Sequence, residues 1–224
     1  MKGKLFVVEG LDGSGKQTQS RLLYERLLNE GYKVKKVEYP NYASESSALV
    51  KMYLRGDFGS KPEDVDAYVS STFFAADRYA SYKTDYESFY NEGGIVIADR
   101  YTTSNMVHQA SKIHDENEWN RFLEWLWELE FEIYKIPVPS QVFFLDMKPD
   151  ISQKLISHRA NKFSHEEAKD IHERDVRYLE NSYLNALKVA EKYSWHIIDC
   201  VENGKLKAIE KINECLLSEV KKYI

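Results

Sequence analysis

Apolar residues recur along this chain with two different periods. Short runs rich in Val, Ile, Leu and Phe alternate with longer stretches in which apolar positions return every three or four residues. The short runs predict strands over 5–9, 34–39, 95–99, 142–146 and 195–199. The longer stretches predict helices over 15–30, 45–55, 63–91, 104–113, 117–135, 150–158, 167–193 and 205–222. Strands separated by helix-length segments need crossover connections, which join parallel neighbours. Their nearly unbroken apolar character suits strands covered on both faces. The expected fold is therefore α/β: a three-layer sandwich, with a five-stranded parallel sheet and helices on both faces. Core packing accounts for the broad apolar face of 117–135, which carries Trp119, Phe122, Trp125, Leu126, Leu129 and Ile133.

Composition narrows the picture. At 224 residues, 43% hydrophobic and 30% charged, the chain suits one domain, because single cores stop growing at about 250–300 residues. A net charge of −5 creates no global positive field to gather nucleic acid or an anionic membrane, so neither is an expected partner. No apolar run is long enough to span a bilayer. The N-terminal run is too short for a secretory signal, and Glu9 interrupts it. Cys200 and Cys215 lack a metal-ligand spacing and fit a reducing compartment. The expected location is the cytoplasm. The segment 158–170 stands apart, polar and crowded with charge between two helical patterns; by composition alone it reads as a solvated connection.

Directly after the first strand comes Gly10-Leu11-Asp12-Gly13-Ser14-Gly15-Lys16-Gln17-Thr18, followed by an amphipathic helix. The run matches the phosphate-binding pattern G-x-x-x-x-G-K-[ST] through its lysine, and strand, loop and helix follow in the required order. Glycines let successive backbone N–H groups turn toward one anion. The helix adds the positive end of its dipole, and Lys16 a mobile charge for the outer phosphates. Gly10, Gly13, Ser14, Gly15, Lys16, Gln17 and Thr18 are the candidate nucleotide-binding residues. Gln17 departs from the pattern, which places a Mg²⁺-ligating hydroxyl there; Thr18, one residue on, is the candidate substitute.

The third strand ends in Asp99-Arg100-Tyr101. Parallel sheets place ligands beyond the carboxyl ends of their strands, so Asp99 and Arg100 belong on the same edge as the glycine loop. A carboxylate there can hold Mg²⁺, and a guanidinium can clamp a phosphate through two hydrogen bonds. A structural ion pair closing the strand is the alternative.

Three segments together resemble the thymidylate kinase family: the loop with its internal aspartate, Phe74-Ala75-Ala76-Asp77-Arg78, and Asp99-Arg100-Tyr101-Thr102-Thr103-Ser104 followed by Gln109. The order of elements agrees over essentially the whole chain. The resemblance implies a P-loop nucleoside monophosphate kinase that transfers the γ-phosphoryl of ATP, with Mg²⁺, to dTMP. It implies that Asp12 pairs with an arginine near the deoxyribose 3′-hydroxyl, that Phe74 stacks on the pyrimidine and that Arg78 reaches its carbonyl. Arg100 would hold the acceptor phosphate, with Ser104, Asn105 and Gln109 lining the base pocket. For Phe74 a core position, and for Arg78 a helix-surface ion pair, are the alternatives from the residues alone. Two positions depart from the family: Tyr42 stands where an arginine helps to hold the acceptor phosphate, and His108 where an aromatic residue precedes Gln109.

In this family the counterpart of 158–170 is a lid, and it carries catalytic arginines when the glycine loop has none. Asp12-Gly13-Ser14 has none, so Arg159 is the expected catalytic arginine, with Lys162 beside it. The acceptor is already an anion, so no general base is required and the histidines have no forced role. Related kinases dimerise through helices, and the tryptophans of 117–135 suit an interface, so a homodimer is expected. Two other functions compete. A deoxynucleoside kinase would need a general base near Glu38 at the end of the second strand. A catalytically weak nucleotide-binding relative would share the fold but not the turnover. The chain has no guanine-reading Asn-Lys-x-Asp motif.

Overall fold

Alternate residues of a strand point to opposite faces of its sheet, and in β1 (Lys4–Glu9) both faces are apolar. Leu5 and Val7 enter one buried cluster, while Phe6 and Val8 enter another on the opposite side. The computed structural model, which describes residues 2–160, 172 and 176–224, shows how the chain fills both. β1 lies at the centre of a sheet with β2 (Val34–Glu38), β3 (Ile95–Asp99), β4 (Gln141–Asp146) and β5 (His196–Asp199). The order is β2-β3-β1-β4-β5, and every pairing is parallel. The five strands and the helices on both faces agree with the sequence pattern, with ends shifted by one residue at most among the strands.

On one face, Leu23 and Leu27 of α1 (Lys16–Asn29) pack with Ile212, Leu216, Leu217 and Val220 of the final helix. The sequence pattern predicts that helix over 205–222, but it begins later, at Ile209–Val220. Ahead of it runs a short antiparallel pair, β6 (Val201–Glu202) and β7 (Lys205–Leu206). Asn203 and Gly204 turn between them with φ of 52° and 73°, the two left-handed residues of a tight hairpin turn. Buried Asn213 then ties this helix to α1 by donating to Gln19 O at 3.1 Å and to its side-chain oxygen at 3.0 Å.

Most of the remaining helical segments lie toward the other face. α2 (Ala48–Arg55) and α3 (Ala67–Ser81) come first, and α3 runs on through a wide turn, Tyr82–Tyr86, into α4 (Glu87–Asn91). After β3 the short α5 (Thr102–Ser104) opens an irregular helical stretch: a wide turn at Asn105–Gln109, then a tight one at Ala110–Lys112. α6 (Glu116–Trp127) also continues through a wide turn, Glu128–Ile133. α7 (Pro149–Ala160) precedes the described part of α8 (Val176–Lys192). The tryptophans pack on this interior, as core packing accounts for them. Trp119 is buried, Trp125 packs 4.7 Å from Tyr68, and Trp127 stacks on Tyr193 at 5.9 Å. No helix among the described residues is long and apolar enough to cross a membrane.

Wide helical turns displace carbonyls from their usual partners and often mark functional sites. Around Asn105–Gln109 those carbonyls are met from α8. Asn185 Nδ2 donates to Met106 O at 2.8 Å and to Val107 O at 2.7 Å, and Tyr178 donates to His108 O at 2.8 Å. Asn185 Oδ1 in turn accepts Trp119 Nε1 at 2.7 Å. Replacing Asn185 with Leu strands these buried partners, and each stranded group costs free energy whether or not packing is kept. Asn185→Leu is expected to lose about 2–4 kcal/mol, read from the urea unfolding midpoint. A loss under about 0.5 kcal/mol would mean that water replaces the amide.

Candidate functional site

The glycine loop starts where β1 stops, and its backbone is possible only because of its glycines. Gly15 has φ 89° with nothing near the position of a Cβ, so conformation alone demands glycine there. At Gly10, with φ 157°, a Cβ would come within 2.6 Å of Ser14 Oγ. Gly15 forms the N-terminal boundary of α1, which places Lys16 in its first turn. Lys16 is buried and folds back, donating to Leu11 O at 2.8 Å, with Asp12 Oδ1 at 3.8 Å. Burial and the nearby Arg100 guanidinium push the ammonium down to about 8, against the opposing pull of Asp12, Glu9 and Asp99.

Arg100 follows β3 with φ 65°, a left-handed backbone uncommon outside glycine and suggestive of a functional position. This conformation turns the side chain back over the loop. One Nη bonds Asp12 Oδ1, and the other meets Ser104 Oγ at 3.3 Å and His108 Nε2 at 3.2 Å. Burial raises the pKa of Asp12, but Arg100 and Lys16 outweigh it and hold the carboxyl well below the usual range. The arginine pairing expected for Asp12 is therefore present, with Arg100 as the partner.

Arg100, an obligate donor, makes His108 Nε2 an acceptor, so the proton of this imidazole belongs on Nδ1. That Nδ1 is buried and has no hydrogen-bond partner among the described residues. Burial, then Arg100, drives the His108 pKa well down, so the ring is neutral. It stacks on His172 at 5.8 Å with 17° between planes.

Asp12, Lys16, Arg100, Ser104, His108 and His172 face one cavity of about 290 Å³ beyond the carboxyl ends of β1, β2 and β3. Asp12, Gly13, Gly15, Lys16 and Gln17 form its loop wall, with Asp99 and Arg100 alongside. Phe74, Arg78, Ser104, Asn105, His108 and Gln109 form the opposite wall, and half-exposed Tyr42 stands at the rim. Phe74 both lines the cavity and packs its ring edge-on to Tyr53 at 6.1 Å, so the pocket and core readings hold together. Asn105 is fixed by donating to Ser71 O at 3.2 Å, and Gln109 by accepting from Ser70 at 2.7 Å.

Gly10, Ser14 and Thr18 lie outside the lining of this cavity. Gly10 and Ser14 shape the turn behind it. Thr18 lies two residues beyond Lys16, about 200° round the helix, whereas Ser20, a full turn on, shares the lysine's face and donates to Asp99 Oδ2 at 3.2 Å. The helix-surface ion pair considered for Arg78 is instead internal. Glu130 holds Nε at 2.6 Å and Nη2 at 2.5 Å, with both side chains buried. The wide turn at Glu128–Ile133 brings Glu130 inside, where Thr102 also donates to it at 2.8 Å. The expected lid over 158–170 lies outside the described residues apart from the last turn of α7. The side chain of Arg159, and Lys162 altogether, lie outside them too.

Not foreseen from the sequence are Glu9, Tyr39, Leu54, Tyr101, Glu130 and His172. Glu9 matters most. It is completely buried, accepts Gly10 N at 3.0 Å, Thr103 at 2.7 Å and Ser104 at 2.8 Å, and lies 3.8 Å from Arg100. Its signal was a carboxylate ending an otherwise apolar strand. As for a metal, no group of three His, Cys, Asp or Glu among the described residues could hold one alone. A Mg²⁺ carried by nucleotide phosphates needs only one or two carboxylates. Asp99 and Glu38, opposite one another in register at the cavity, fit that demand. Burial raises the Asp99 pKa, with Lys16 and Arg100 pulling it back.

Comparison with known proteins agrees with this geometry. The thymidylate kinase family model matches residues 8–212. A probable thymidylate kinase of Pyrococcus horikoshii is 28% identical over 222 residues, covering 99% of this chain and 97% of its own. The thymidylate kinase of Plasmodium falciparum is 26% identical, with 94% and 91% covered. The solved structure of thymidylate kinase from Candida albicans superposes with a TM-score of 0.72 at 20% identity, covering 99% of this chain and 92% of that one, which bears on the fold. With a glycine loop, its lysine and the Asp99–Arg100 pair gathered at one sheet edge, and with the match running through nearly all of the sequence, the chain belongs to the thymidylate kinase family.

Proposed function

We propose that this chain transfers the γ-phosphoryl of ATP to dTMP, giving dTDP, within the cavity between the glycine loop and α3. The observation that carries this reading is that Lys16 and Arg100 share one cavity, bridged by Asp12. Two phosphates that would otherwise repel can be brought into line there. Such a transfer asks little covalent chemistry of the protein and depends on positioning and charge neutralisation.

The loop amides and Lys16 hold the donor phosphates, with Lys16 leaving Leu11 O to reach them. Arg100, kept in place by Ser104, His108 and Glu9, grips the acceptor phosphate. Phe74 packs the pyrimidine, while Asn105, Gln109 and Arg78 border its edges. Because Glu130 occupies Nε and Nη2 of Arg78, Nη1 is the nitrogen offered to the base. Asp99 and Glu38 would hold Mg²⁺ that arrives with the nucleotide, and the ion supplies charge neutralisation at the phosphate oxygens. Arg159, by the family resemblance, would supply the further cation. Glu38 does line the cavity, as a deoxynucleoside kinase would require, but Lys36 engages it at 2.8 Å and half of it is exposed. The family match favours the monophosphate reaction.

A cytoplasmic homodimer is the assembly we infer. Its support is the exposed apolar set of Val69 and Tyr79 on α3 with Ile133 beyond α6, rather than the tryptophans. A monomer in sedimentation equilibrium at micromolar concentration would refute it.

A coupled ADP-release assay with ATP, Mg²⁺ and a panel of nucleosides and monophosphates tests the activity. dTMP is expected to be the best substrate or a close second, with thymidine inert. In that assay Arg159→Ala should lower kcat by at least ~10²-fold with little change in nucleotide KM; near-normal turnover would reject the lid arginine.

Lys16 gives a pH signature. Its pKa is depressed in the empty site, and a bound polyanion favours the ammonium, so the pKa is higher in the complex. ATP affinity is therefore complete below about 8 and weakens by up to about tenfold per unit above it. Calorimetric ATP titrations between pH 7 and 9.5 should show this slope, and Lys16→Met should abolish it. A flat profile in the unmodified protein would contradict the assignment.

A further inference from the structure

Lys112 lies behind the cavity wall and does not line it, yet three polar atoms converge on its ammonium. Nζ donates to Tyr53 Oη at 3.0 Å, to Val65 O at 3.0 Å and to Ser70 Oγ at 3.3 Å. These three contacts match the full donor complement of a lysine. The amine sits 5.3 Å from the Tyr53 ring centre, on the side of the hydroxyl that it bonds.

Each side-chain partner leads to a different part of the cavity. Ser70 lies 2.7 Å from Gln109 Oε1. The Tyr53 ring meets Phe74 edge-on. The Tyr53 hydroxyl is 3.0 Å from His172 Nε2. Lys112 can only donate to that hydroxyl, so the Tyr53 oxygen accepts from the ammonium while it also meets His172. His172 stacks on His108, which accepts from Arg100. Two buried imidazoles thus stand between two cations, a position that suits only neutral rings. Burial, with Lys112 adding to it, pushes His172 down to about 3.

We infer that Lys112 is a positioning residue for the monophosphate: one ammonium sets the places of Gln109, Phe74 and His172 without touching the substrate. The inference rests on the reading that dTMP occupies this cavity. Two of the three routes stop short of the glycine loop, and the His172 route reaches it only through Arg100, so the effect falls chiefly on the acceptor. Hydrogen-bonded chains of this kind act as a unit, and their members are coupled rather than additive.

The test is calorimetric binding of dTMP to the full chain, with steady-state kinetics alongside. Lys112→Met keeps the aliphatic stem and removes the donor. It is expected to raise both the Kd and KM for dTMP about tenfold, leaving the KM for ATP within about twofold and kcat within about threefold. Tyr53→Phe keeps the ring against Phe74 and removes only the hydroxyl, and should raise the same two constants about threefold. The double variant should resemble Lys112→Met alone, because both changes cut one chain. Thermal melting records any change in stability separately. An unchanged dTMP Kd in folded Lys112→Met, fully additive effects, or an equal rise in the KM for ATP would overturn the inference. Should Lys112→Met fail to fold, an unchanged dTMP Kd in Tyr53→Phe overturns it. Failure of the unmodified chain to bind dTMP would instead remove the functional reading beneath it.

Discussion

Two cations buried side by side at one sheet edge repel each other, and the arrangement at the top of β1 and β3 exists because a carboxylate stands between them. Asp12 faces both Lys16 and Arg100, and Glu9 supplies a second negative charge from beneath. Burying charges is tolerable only when they are paired and hydrogen-bonded. Here the pairing is also uneven. Lys16 rests on a backbone carbonyl and a distant carboxylate, while Arg100 is held by four side chains. The lysine side of the cavity is therefore the less tightly held one and the arginine side the preformed one.

Support for the preformed end comes from irregular helices. The stretch Thr102–Lys112 changes its winding twice within eleven residues, which turns Asn105, His108 and Gln109 toward one space. α8 then satisfies the displaced carbonyls. The irregularity at the site and the regularity of α8 depend on each other: without Asn185 and Tyr178 the wide turn would leave buried acceptors unmatched. The buried Arg78–Glu130 pair follows the same logic across two other elements, with Thr102 completing the carboxylate.

What could be read in the sequence was what repeats or what obeys a local rule. The five strands were visible because each is a short, nearly continuous apolar run. The glycine loop was visible because its spacing is tied to one backbone geometry. Asp99 and Arg100 were placed at the right edge by topology alone. Contacts made across the fold were not legible. Glu9 looked like an interruption in an apolar run, since nothing local shows that Thr103, Ser104 and Gly10 converge on it. Glu130 looked like one of several exposed glutamates in 128–132, since a wide turn has no sequence signature. The tryptophans were read as core and also as suited to an interface, and periodicity could not show that Trp119 turns inward to an asparagine 66 positions away. The β6–β7 hairpin is different: Asn203-Gly204 is a local signal, but the helical pattern that follows masked it.

The wide turn at Glu128–Ile133 makes the length of that segment a chemical variable. One surplus residue per turn rotates everything that follows by roughly 100°, and that rotation separates a carboxylate facing water from one gripping Arg78. Relatives that gain or lose a single residue there would keep their helix and their loop lengths, yet trade the partner of that arginine. In such chains the guanidinium would need a different counter-ion, or its own place beside Phe74 in the cavity would be vacated.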